Sequence, residues 1–346
     1  MQIHKIIQID GRHGEGGGQI LRTALTLSCI CHIPFHIHHI RGNRKKPGLR
    51  SQHLIALHAL ATITKAKVHG ATIDSHELIF EPGEIHGGNY SFHIGTAGST
   101  SLVLQAIIPV LLFGNIPSQI QITGGTHVPW SPSFYYLKTI FLPALQTMGG
   151  NVTVAIDKWG WYPKGGGSIR AVITNTKRLT PIRLRNRGRL LHLHILSAVS
   201  NLPLSIAERQ RDQSIIRLKH LELNLTTDIQ NAPSSSQGTV LFIHAHCERG
   251  GGGFTSLGKK GKSAENVANE ASDECIKFLY SRAVIDIHLA DQLVLYMALA
   301  KGRSIVVTER ITEHLLTNIW VIQQFLPVSF DIEKETGKIE VNGIGL

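Results

Sequence analysis

Short β-rich runs alternate with helical stretches over most of this 346-residue chain, and that alternation most constrains its fold. Strands are predicted for IHKIIQI, PFHIHHI and ELIFEPG, and helices for GQILRTALTL, LRSQHLIALHALATI and STSLVLQAIIPVLL. Glycine-rich turns precede several helices, at residues 14–18, 95–98 and 124–125. Their uneven spacing indicates repeated βαβ-like units rather than a short-period solenoid. The expected class is α/β or α+β, with helices packed on sheets.

A change of composition near residue 180 predicts a second domain. KGGGSIRAVI ends one block, TPIRLRNRGRLLHLHIL begins another, and NAPSSSQG is the most loop-like segment of the chain. We expect residues 1–180 and 281–346 to form a main domain and residues 181–280 to form a smaller insert. After the insert, SIVVT predicts a strand, followed by a helix from about Thr312 to Phe325.

The charge balance favours an anionic partner. The chain has 35 Lys and Arg against 24 Asp and Glu, and its 42% apolar content is that of a globular protein. Its longest apolar stretch is short and contains Gln105 and Pro109, so we expect no membrane span. The first residues lack a signal-peptide cleavage pattern, and the four cysteines suit a reducing compartment. A cytoplasmic location is the expectation.

Twenty histidines raise the question of a metal site. One cluster contains His36, His38 and His39, and another contains His244, His246 and the adjoining cysteine. Their period of two is typical of a strand that carries histidine on its alternate polar face. Both clusters lack the CxxC or HxxxH spacing of a zinc site. We therefore interpret them as strand faces rather than as metal ligands.

The segment GRHGEGGGQILR, residues 11–22, is a glycine-rich turn between a strand and a helix. Backbone N–H groups at such a turn, together with the positive helix end, can bind an anion, although close helix-to-sheet packing explains the glycines equally well. Gln19 and Arg22 share one helical face, and Glu15 lies just before it. Glu15 and Arg22 can hold a metal and a phosphate, or form an ordinary solvated salt bridge.

A second candidate is RGNRKKPGLRSQH, residues 41–53, at the start of a predicted helix. Its cations are Arg41, Arg44, Lys45, Lys46 and Arg50. They suit a phosphate-rich ligand such as ATP or an RNA end, and a solvated basic loop is the alternative.

A third candidate, GGGGFTSLGKKGKS at residues 250–263, resembles a phosphate-binding loop but fails its pattern. Lys260 stands where that motif requires Ser or Thr after its lysine. We interpret the run as a flexible basic loop.

Two helices near the C-terminal end supply the last candidates. Asp291 and Gln292 are expected in the first turn of one helix, where an acid normally caps. His314 is expected in the first turn of the other, with Asn318 four residues on along the same face. The positive helix end disfavours imidazolium and attracts phosphates, which suits nucleotidyl transfer through nitrogen. A purely structural histidine is the alternative.

Together these segments resemble the RNA 3′-terminal phosphate cyclase family, from about residue 8 to about residue 330 and most weakly between 180 and 250. The motifs occur in the same order: GRHGEGGGQILR, RGNRKKPGLRSQH, IGTAGSTSLVLQ, GGTHVPWSP, GWYPKGGGSI, HLADQLVLYMALA and EHLLTNIWVIQQFLP. The resemblance implies a main domain of three related units, each with a four-stranded sheet and two helices, plus a smaller inserted α/β domain.

The resemblance also implies an ATP-dependent ligase-class enzyme. A histidine is adenylated by ATP, AMP passes to the RNA 3′-phosphate as RNA(3′)pp(5′)A, and the neighbouring 2′-OH closes a 2′,3′-cyclic phosphate. The implied cofactors are ATP and Mg²⁺ or Mn²⁺, and the implied partner is an RNA 3′-phosphate end. The oligomeric state stays open, with a homodimer as one alternative.

Individual roles follow from the same resemblance. His314 matches the nucleophile, Glu15 the metal-binding acid, and Arg22, Arg41 and Arg44 essential phosphate-contacting positions. The implied nucleotide-binding set is Gln105, Pro132, His288, Asp291, Gln292 and Gln19.

The sequence departs from the family pattern at Trp159, where Arg or His is usual, and at Tyr135, near which an acid is common. His288 stands at the aromatic stacking position, and the extra glycines at 250–253 lengthen a loop of the insert. A cyclase-like RNA-binding scaffold of ribosome assembly, without catalysis, is the main alternative. An acyclic transferase of similar architecture is a third.

Overall fold

The fold repeats one βαβαββ order three times, as seen in a computed structural model that describes residues 6–221 and 224–346. The first unit contains β1 Ile7–Asp10, α1 Gly18–Cys31, β2 Phe35–His38, α2 Ser51–Thr64, β3 Lys67–His69 and β4 Leu78–Glu81. Its sheet has the order β1-β2-β4-β3, with β1 and β2 parallel and the other pairs antiparallel. Residues 3–5 of the first predicted strand lie outside the described residues.

The second unit has the same topology. It contains β5 Asn89–His93, α3 Thr100–Leu112, β6 Ser118–Gly124, α4 Phe134–Tyr136, a π-helical turn Leu137–Phe141, α5 Leu142–Thr147, β7 Asn151–Lys158 and β8 Gly167–Thr174. Its sheet order is β5-β6-β8-β7, again with the first pair parallel. Almost every side chain of α3 is buried, because α3 packs against both α1 and α2.

The third unit begins with β9 Arg183–Leu184 and is then interrupted by an insert. The insert contains β10 Leu190–Ser200, α6 Leu204–Leu218, a 3-10 turn Lys219–Leu221, β11 Leu225–Asn231, β12 Gly238–Cys247, β13 Gly250–Leu257 and α7 Ala264–Tyr280. Its sheet order is β11-β10-β12-β13. One face of this sheet packs on the helices through Leu193, Ile195 and Leu241, whereas Leu196 and Phe242 join the core of the main body.

The third unit resumes after the insert with α8 Ile287–Leu299, β14 Lys301–Val307, α9 Glu313–Phe325, β15 Phe330–Glu333 and β16 Lys338–Ile344. Its sheet order, read from β9, is β9-β14-β16-β15, so all three units share one topology. The expected α/β (α+β) class with repeated four-stranded sheets is therefore confirmed. The 181–280 bounds of the insert stay a prediction; β9 pairs with β14, so the chain leaves the third sheet after residue 184.

The interpretation of residues 250–263 as a flexible loop is wrong for its first part. Residues 250–257 form β13, which pairs antiparallel with β12 along its whole length. Gly253 packs so closely that a Cβ there would lie 2.6 Å from Ile140 Cγ1. Glycine is therefore required by a close approach at the junction with the main body.

Most histidines of the two clusters lie on strands, as predicted, whereas His39 follows the end of β2 with a φ of +53°. His36 and His38 alternate with buried Phe35 and Ile37 on β2, and the second cluster lies on β12. Each of the four cysteines is a free thiol. Within the described part of the chain, every helix is too short or too polar to span a lipid bilayer.

Candidate functional site

A cavity of about 960 Å³ lies where the three units and the insert meet. Every residue that the sequence assigned to the site lines it: Glu15, Gln19, Arg22, Arg41, Arg44, Gln105, Pro132, His288, Asp291, Gln292 and His314. The first five come from unit one, Gln105 and Pro132 from unit two, and the rest from unit three. Residues far apart in the sequence are thus brought to one place.

His314 lies in the first turn of α9, as predicted, after the N-cap Thr312. Its Nδ1 is 2.7 Å from Asp291 Oδ2, and its Nε2 is 3.7 Å from Glu15 Oε2. The short contact fits an Nδ1–H donor to the carboxylate. A proton on Nδ1 leaves the lone pair on Nε2, so this nitrogen is the nucleophilic one.

The prediction that Asp291 and Gln292 lie in the first turn of their helix is wrong. Helix α8 begins at Ile287, and the N-cap is Asp286, whose Oδ1 accepts hydrogen bonds from the backbone N–H groups of His288 and Leu289. Asp291 lies one turn further on. It is therefore free to contact His314 instead of capping.

Asn318 links the helices that surround His314. Its side-chain NH₂ donates to the carbonyl of Asp291 at 2.9 Å, and its Oδ1 accepts from the Thr23 hydroxyl at 2.7 Å. Asn318 is buried, so these bonds fix α1, α8 and α9 relative to one another. The expected position on the same face as His314 is confirmed, and its role is to position Asp291.

Glu15 contacts both a cation and the imidazole. Arg44 forms an ion pair with Glu15 Oε1, and the other carboxylate oxygen approaches His314. The loop that carries Glu15 needs glycine at position 14, where φ is +53° and a Cβ would lie 2.2 Å from Thr317 Oγ1. Helix α1 then begins without a side-chain cap, and Gly18 in its first turn lines the cavity. Gly14 is thus explained by close packing, and the N-terminus of α1 is open to the cavity at Gly18.

Arg22 is a charged group in a desolvated position. Burial lowers the pKa of Arg22 to about 10, against the opposing effect of Asp291, so the guanidinium stays charged at neutral pH. It donates to Gln19 Oε1 at 2.6 Å, and within residues 6–221 and 224–346 no carboxylate oxygen lies within 4.0 Å of it. Burial and three nearby arginines lower the pKa of His53 to about 3, which keeps this neighbour uncharged.

The basic segment divides into cavity-lining and solvated parts. Arg41 and Arg44 line the cavity, whereas Lys45 and Lys46 are exposed and do not. Arg41 also donates to the carbonyls of Lys46 and Gly48, at 2.7 and 2.9 Å, and so closes the loop. The lysines of the segment are therefore solvated, as one alternative predicts, whereas phosphate binding by Arg41 and Arg44 stays a prediction.

One part of the cavity wall carries neutral hydrogen-bonding groups. Gln105 donates to Gln292 Oε1 at 2.8 Å between α3 and α8. The buried Tyr136 hydroxyl donates to Asp286 Oδ1 at 2.7 Å, and its ring lies perpendicular to that of His288. Burial and the Asp286 carboxylate raise the pKa of Tyr136, which keeps the donor protonated. Amides, an imidazole and a phenol suit a heterocyclic base.

The two departures from the family pattern lie outside this cavity. Trp159 is 3% exposed and stacks on His127, with ring centroids 4.1 Å apart. The backbone N–H of Trp159 donates to the carbonyl of Pro233 in the insert. Tyr135 donates its hydroxyl to Gln230 Oε1, also in the insert, at 2.9 Å. Both residues join the second unit to the insert.

Asp10, His38 and His39 place one ligand atom each within 4.8 Å of one another. The carboxylate of Asp10 is already bound through both oxygens to Arg12, which holds the pKa of Asp10 well below its usual range. The negative charge of this carboxylate is therefore already paired with a guanidinium.

Sequence reasoning missed several residues of the cavity wall, among them Asp286, Tyr136, His53 and Trp130. For Asp286 a signal was present, because an acid directly before the apolar run IHL is a typical N-cap. Tyr136 has no local signal, since its partner is 150 residues away.

Known proteins resemble this chain over most of its length. The sequence profile of the RNA 3′-terminal phosphate cyclase family matches residues 13–332. A protein named RNA 3′-terminal phosphate cyclase from Pyrobaculum aerophilum is 40% identical over 344 residues, covering 98% of this chain and 99% of its own. One of the same name from Koribacter versatilis is 42% identical over 330 residues, covering 95% of this chain and 92% of its own. Among solved structures, the enolpyruvyl transferase NikO from Streptomyces tendae is 9% identical with a TM-score of 0.41, over 97% of this chain and 48% of that chain.

Proposed function

The chain belongs to the RNA 3′-terminal phosphate cyclase family, and we propose that it converts an RNA 3′-phosphate to a 2′,3′-cyclic phosphate at the expense of ATP. The observation that carries this proposal is His314, oriented by Asp291 at 2.7 Å in a cavity that also contains Arg22, Arg41 and Arg44. A nucleophilic nitrogen beside several cations is what transfer of a nucleotidyl group requires.

In the first step, Nε2 of His314 attacks the α-phosphorus of ATP. The new bond is N–P, the bond to the bridging oxygen of the β-phosphate breaks, and pyrophosphate leaves. Asp291 holds the Nδ1 proton throughout and stabilises the positive charge that the ring gains. The arginines offset the charge gathered by the phosphates.

In the second step, an oxygen of the RNA 3′-phosphate attacks the phosphorus of the adenylated histidine. The N–P bond breaks, His314 is released, and AMP is now joined to the RNA as RNA(3′)pp(5′)A. In the third step, the 2′-OH attacks the 3′-phosphorus, loses its proton and displaces AMP. Activation by AMP is needed because a phosphate monoester is a poor electrophile with a poor leaving group.

Glu15 is the residue that would hold a divalent metal. Its carboxylate lines the cavity beside His314 Nε2, and a single acid together with substrate phosphates is a usual Mg²⁺ environment. Mg²⁺ or Mn²⁺ bound there would offset phosphate charge. Arg44 pairs with the same carboxylate, so a metal ion at Glu15 would share it with this guanidinium.

We place the nucleotide base against the wall formed by Gln105 and Gln292. Gln105, Gln292 and His288 supply amide groups and a ring there, and Pro132 adds an apolar surface. Asp291, which the resemblance assigns to the nucleotide site, lines the same cavity and contacts His314 through its carboxylate. A contact with the adenosine stays a prediction. Gln19 orients Arg22 through a 2.6 Å hydrogen bond.

A catalytically inactive scaffold is the less favoured alternative. Such a protein has no need of a nucleophile with a fixed tautomer, and here the imidazole, its carboxylate partner and the arginines are all present in one cavity.

The test is incubation with α-labelled ATP and Mg²⁺ or Mn²⁺. We expect acid-labile label on the protein, transfer of that label to a 3′-phosphorylated oligoribonucleotide, and no label on His314→Ala. His194→Ala is the matched control, since His194 also pairs with an aspartate but lies in the insert, outside the cavity. Label that persists on His314→Ala would assign the nucleophile elsewhere, and absence of label on the intact protein would favour the scaffold.

A further inference from the structure

Trp130 is the most exposed of the large apolar side chains in the described part of the chain, at 95%. It follows Pro129 in a turn between β6 and α4, and its φ is +58°. Proline followed by a residue of positive φ is the pattern of a type II turn, whose third position favours glycine or asparagine. Tryptophan therefore strains the backbone here while its indole gains no burial. Neither property helps the chain to fold.

The turn itself is firmly anchored. The Ser131 hydroxyl donates to the carbonyl of Val128 at 3.0 Å, and the N–H of Phe134 donates to the carbonyl of Thr126 at 3.0 Å. Val128 and Phe134 are both buried. The backbone thus holds the indole at a defined place. Binding of a partner therefore costs little conformational entropy in this turn.

That place is the mouth of the cavity. Pro129, Trp130 and Ser131 line the same cavity as Arg44 and His314, yet the indole is in water. In the proposed function the base of ATP lies near Gln105. An RNA strand is longer than the cavity, so it must leave across the mouth, where Trp130 lies.

We propose that Trp130 is the platform on which the base of the 3′-terminal nucleotide of RNA stacks, an inference that rests on the proposed function. An indole offers a large, rigid aromatic face, and stacking on it is tolerant of sequence because every base has a π-face. Arg41 and Arg44 hold the phosphate inside while Trp130 holds the base outside. The reacting ribose is then fixed between two contacts, which orients the 2′-OH toward the activated phosphate.

The test combines a change in the protein with a change in the RNA. Trp130→Gly and Trp130→Phe are compared on 3′-phosphorylated oligoribonucleotides whose terminal nucleotide is either intact or abasic with its 2′-OH retained. For Trp130→Gly we expect the KM for intact RNA to rise about tenfold, as the loss of one stacked base predicts, with partial rescue by Phe. On abasic RNA, both variants should equal the wild type.

Two further readouts separate stacking from a structural role. Self-adenylation with ATP alone should keep its rate in Trp130→Gly, and the denaturation midpoint should stay or rise, because glycine relieves the positive φ. Tyr280→Ala is the matched control, since Tyr280 is also exposed, at 72%, but does not line the cavity. It should change none of these quantities.

Several outcomes would overturn the proposal. An equal loss on intact and abasic RNA would mean that the terminal base is not the partner. A slower self-adenylation would place Trp130 in the ATP site. Unchanged KM values in Trp130→Gly would mean that the exposed indole does not bind the terminal base and serves another partner, such as a second protein.

An equilibrium measurement distinguishes failure of this proposal from failure of the proposed function. Trp159 and Trp161 are buried and Trp320 stacks on His13, so Trp130 is the most accessible of the four fluorophores. Intact 3′-phosphorylated RNA should quench its emission, abasic RNA should not, and Trp130→Phe should lose the response. Quenching without turnover would support base stacking on Trp130 and contradict the proposed reaction. Turnover without quenching would contradict base stacking on Trp130 and leave the proposed reaction supported.

Discussion

At the scale of single residues, the contact between Asp291 and His314 decides which ring nitrogen can react. The carboxylate occupies Nδ1, and the ring is further enclosed by Glu15 on its Nε2 side. Asn318 in turn holds the carbonyl of Asp291. Loss of the Asp291 charge is therefore expected to affect chemistry more than binding.

For Asp291→Asn, we expect the rate of self-adenylation to fall about 10- to 100-fold, because an amide supports the Nδ1–H tautomer and the ring charge less well. The measurement is the initial rate of label incorporation at saturating ATP. Asp228→Asn is the matched control, since Asp228 pairs with His194 at 3.0 Å in the insert. Equal rates in Asp291→Asn and the wild type would contradict the role of this carboxylate.

For Arg44→Ala, we expect a loss of about tenfold or more in kcat/KM for RNA 3′-phosphate ends, and less than about twofold for Lys45→Ala. Arg44 lines the cavity and contacts Glu15, whereas Lys45 is exposed. A guanidinium fork binds phosphate in two places, and a solvated ammonium does not. The two variants form their own control, and equal losses would argue against the assignment of Arg44.

At the scale of elements, the N-terminal ends of three helices converge on the cavity, and each end has a different N-cap. Helix α1 begins without a side-chain cap, α9 is capped by Thr312, and α8 by the buried Asp286. Asp286 accepts from two N–H groups of α8, from Tyr136 and from the N–H of Gly253 in the insert. One carboxylate thus joins unit three to unit two and to the insert.

Asp286→Ala should lower the free energy of unfolding by about 2–4 kcal/mol, because it removes a cap and leaves buried donors without a partner. Ser263→Ala, which removes the side-chain cap of α7, should cost only about 1 kcal/mol. Chemical denaturation at neutral pH compares the two. Similar losses in both variants would show that Asp286 acts as an ordinary cap.

The helices were predictable from sequence because their signals are local, and the errors arose where tertiary contacts decide. The pattern around His314 indicated its first turn correctly, since Thr312 is a typical N-cap. The preference of acids for the first turn predicts Asp291 near the start of α8, but Asp286 is the N-cap. The glycine run of β13 looked like a loop because only its packing against Ile140 and Tyr136 explains the missing side chains.

At the scale of the whole molecule, the resemblance implied the three repeated units correctly, whereas the residue pattern alone indicated repeated βαβ-like units of an α/β or α+β class without their number. Sequence similarity likewise brought the cavity residues together, since no periodicity connects Glu15 to His314. The division at 181–280, the cytoplasmic location and assembly as a homodimer stay predictions. Trp159 and Tyr135 depart from the family pattern, but both lie outside the cavity and form hydrogen bonds to the insert. A departure from a sequence pattern therefore does not by itself indicate a change in the site.

Acid should destabilise the whole molecule through its buried histidines. Burial lowers the pKa of His53 and of His127 to about 3, from 6.5 for an ordinary histidine. Between these values the unfolded chain binds protons that the folded chain does not. Above pH 6.5, the free energy of unfolding therefore does not change with pH through these two histidines. As the pH falls from 6.5 toward 3, it decreases by roughly 1.4 kcal/mol per pH unit for each histidine.

Urea denaturation at pH 7, 6 and 5 measures this dependence. His127→Phe, which keeps an aromatic ring against Trp159, should show a smaller loss of stability on acidification than the wild type. His69→Phe is the control, because His69 is exposed. Parallel acid dependence in all three proteins would contradict the contribution of His127.

The placement of the insert has a consequence for synthesis on the ribosome. Strand β9 emerges before the insert, but its partner β14 emerges only afterwards, so the third sheet cannot close until the insert has been made. Glu15 and the arginines are translated before the insert, and His314 is translated after it. A nascent chain that has not passed the insert therefore lacks this imidazole, so the proposed covalent uptake of a nucleotide has to wait until the insert has been made.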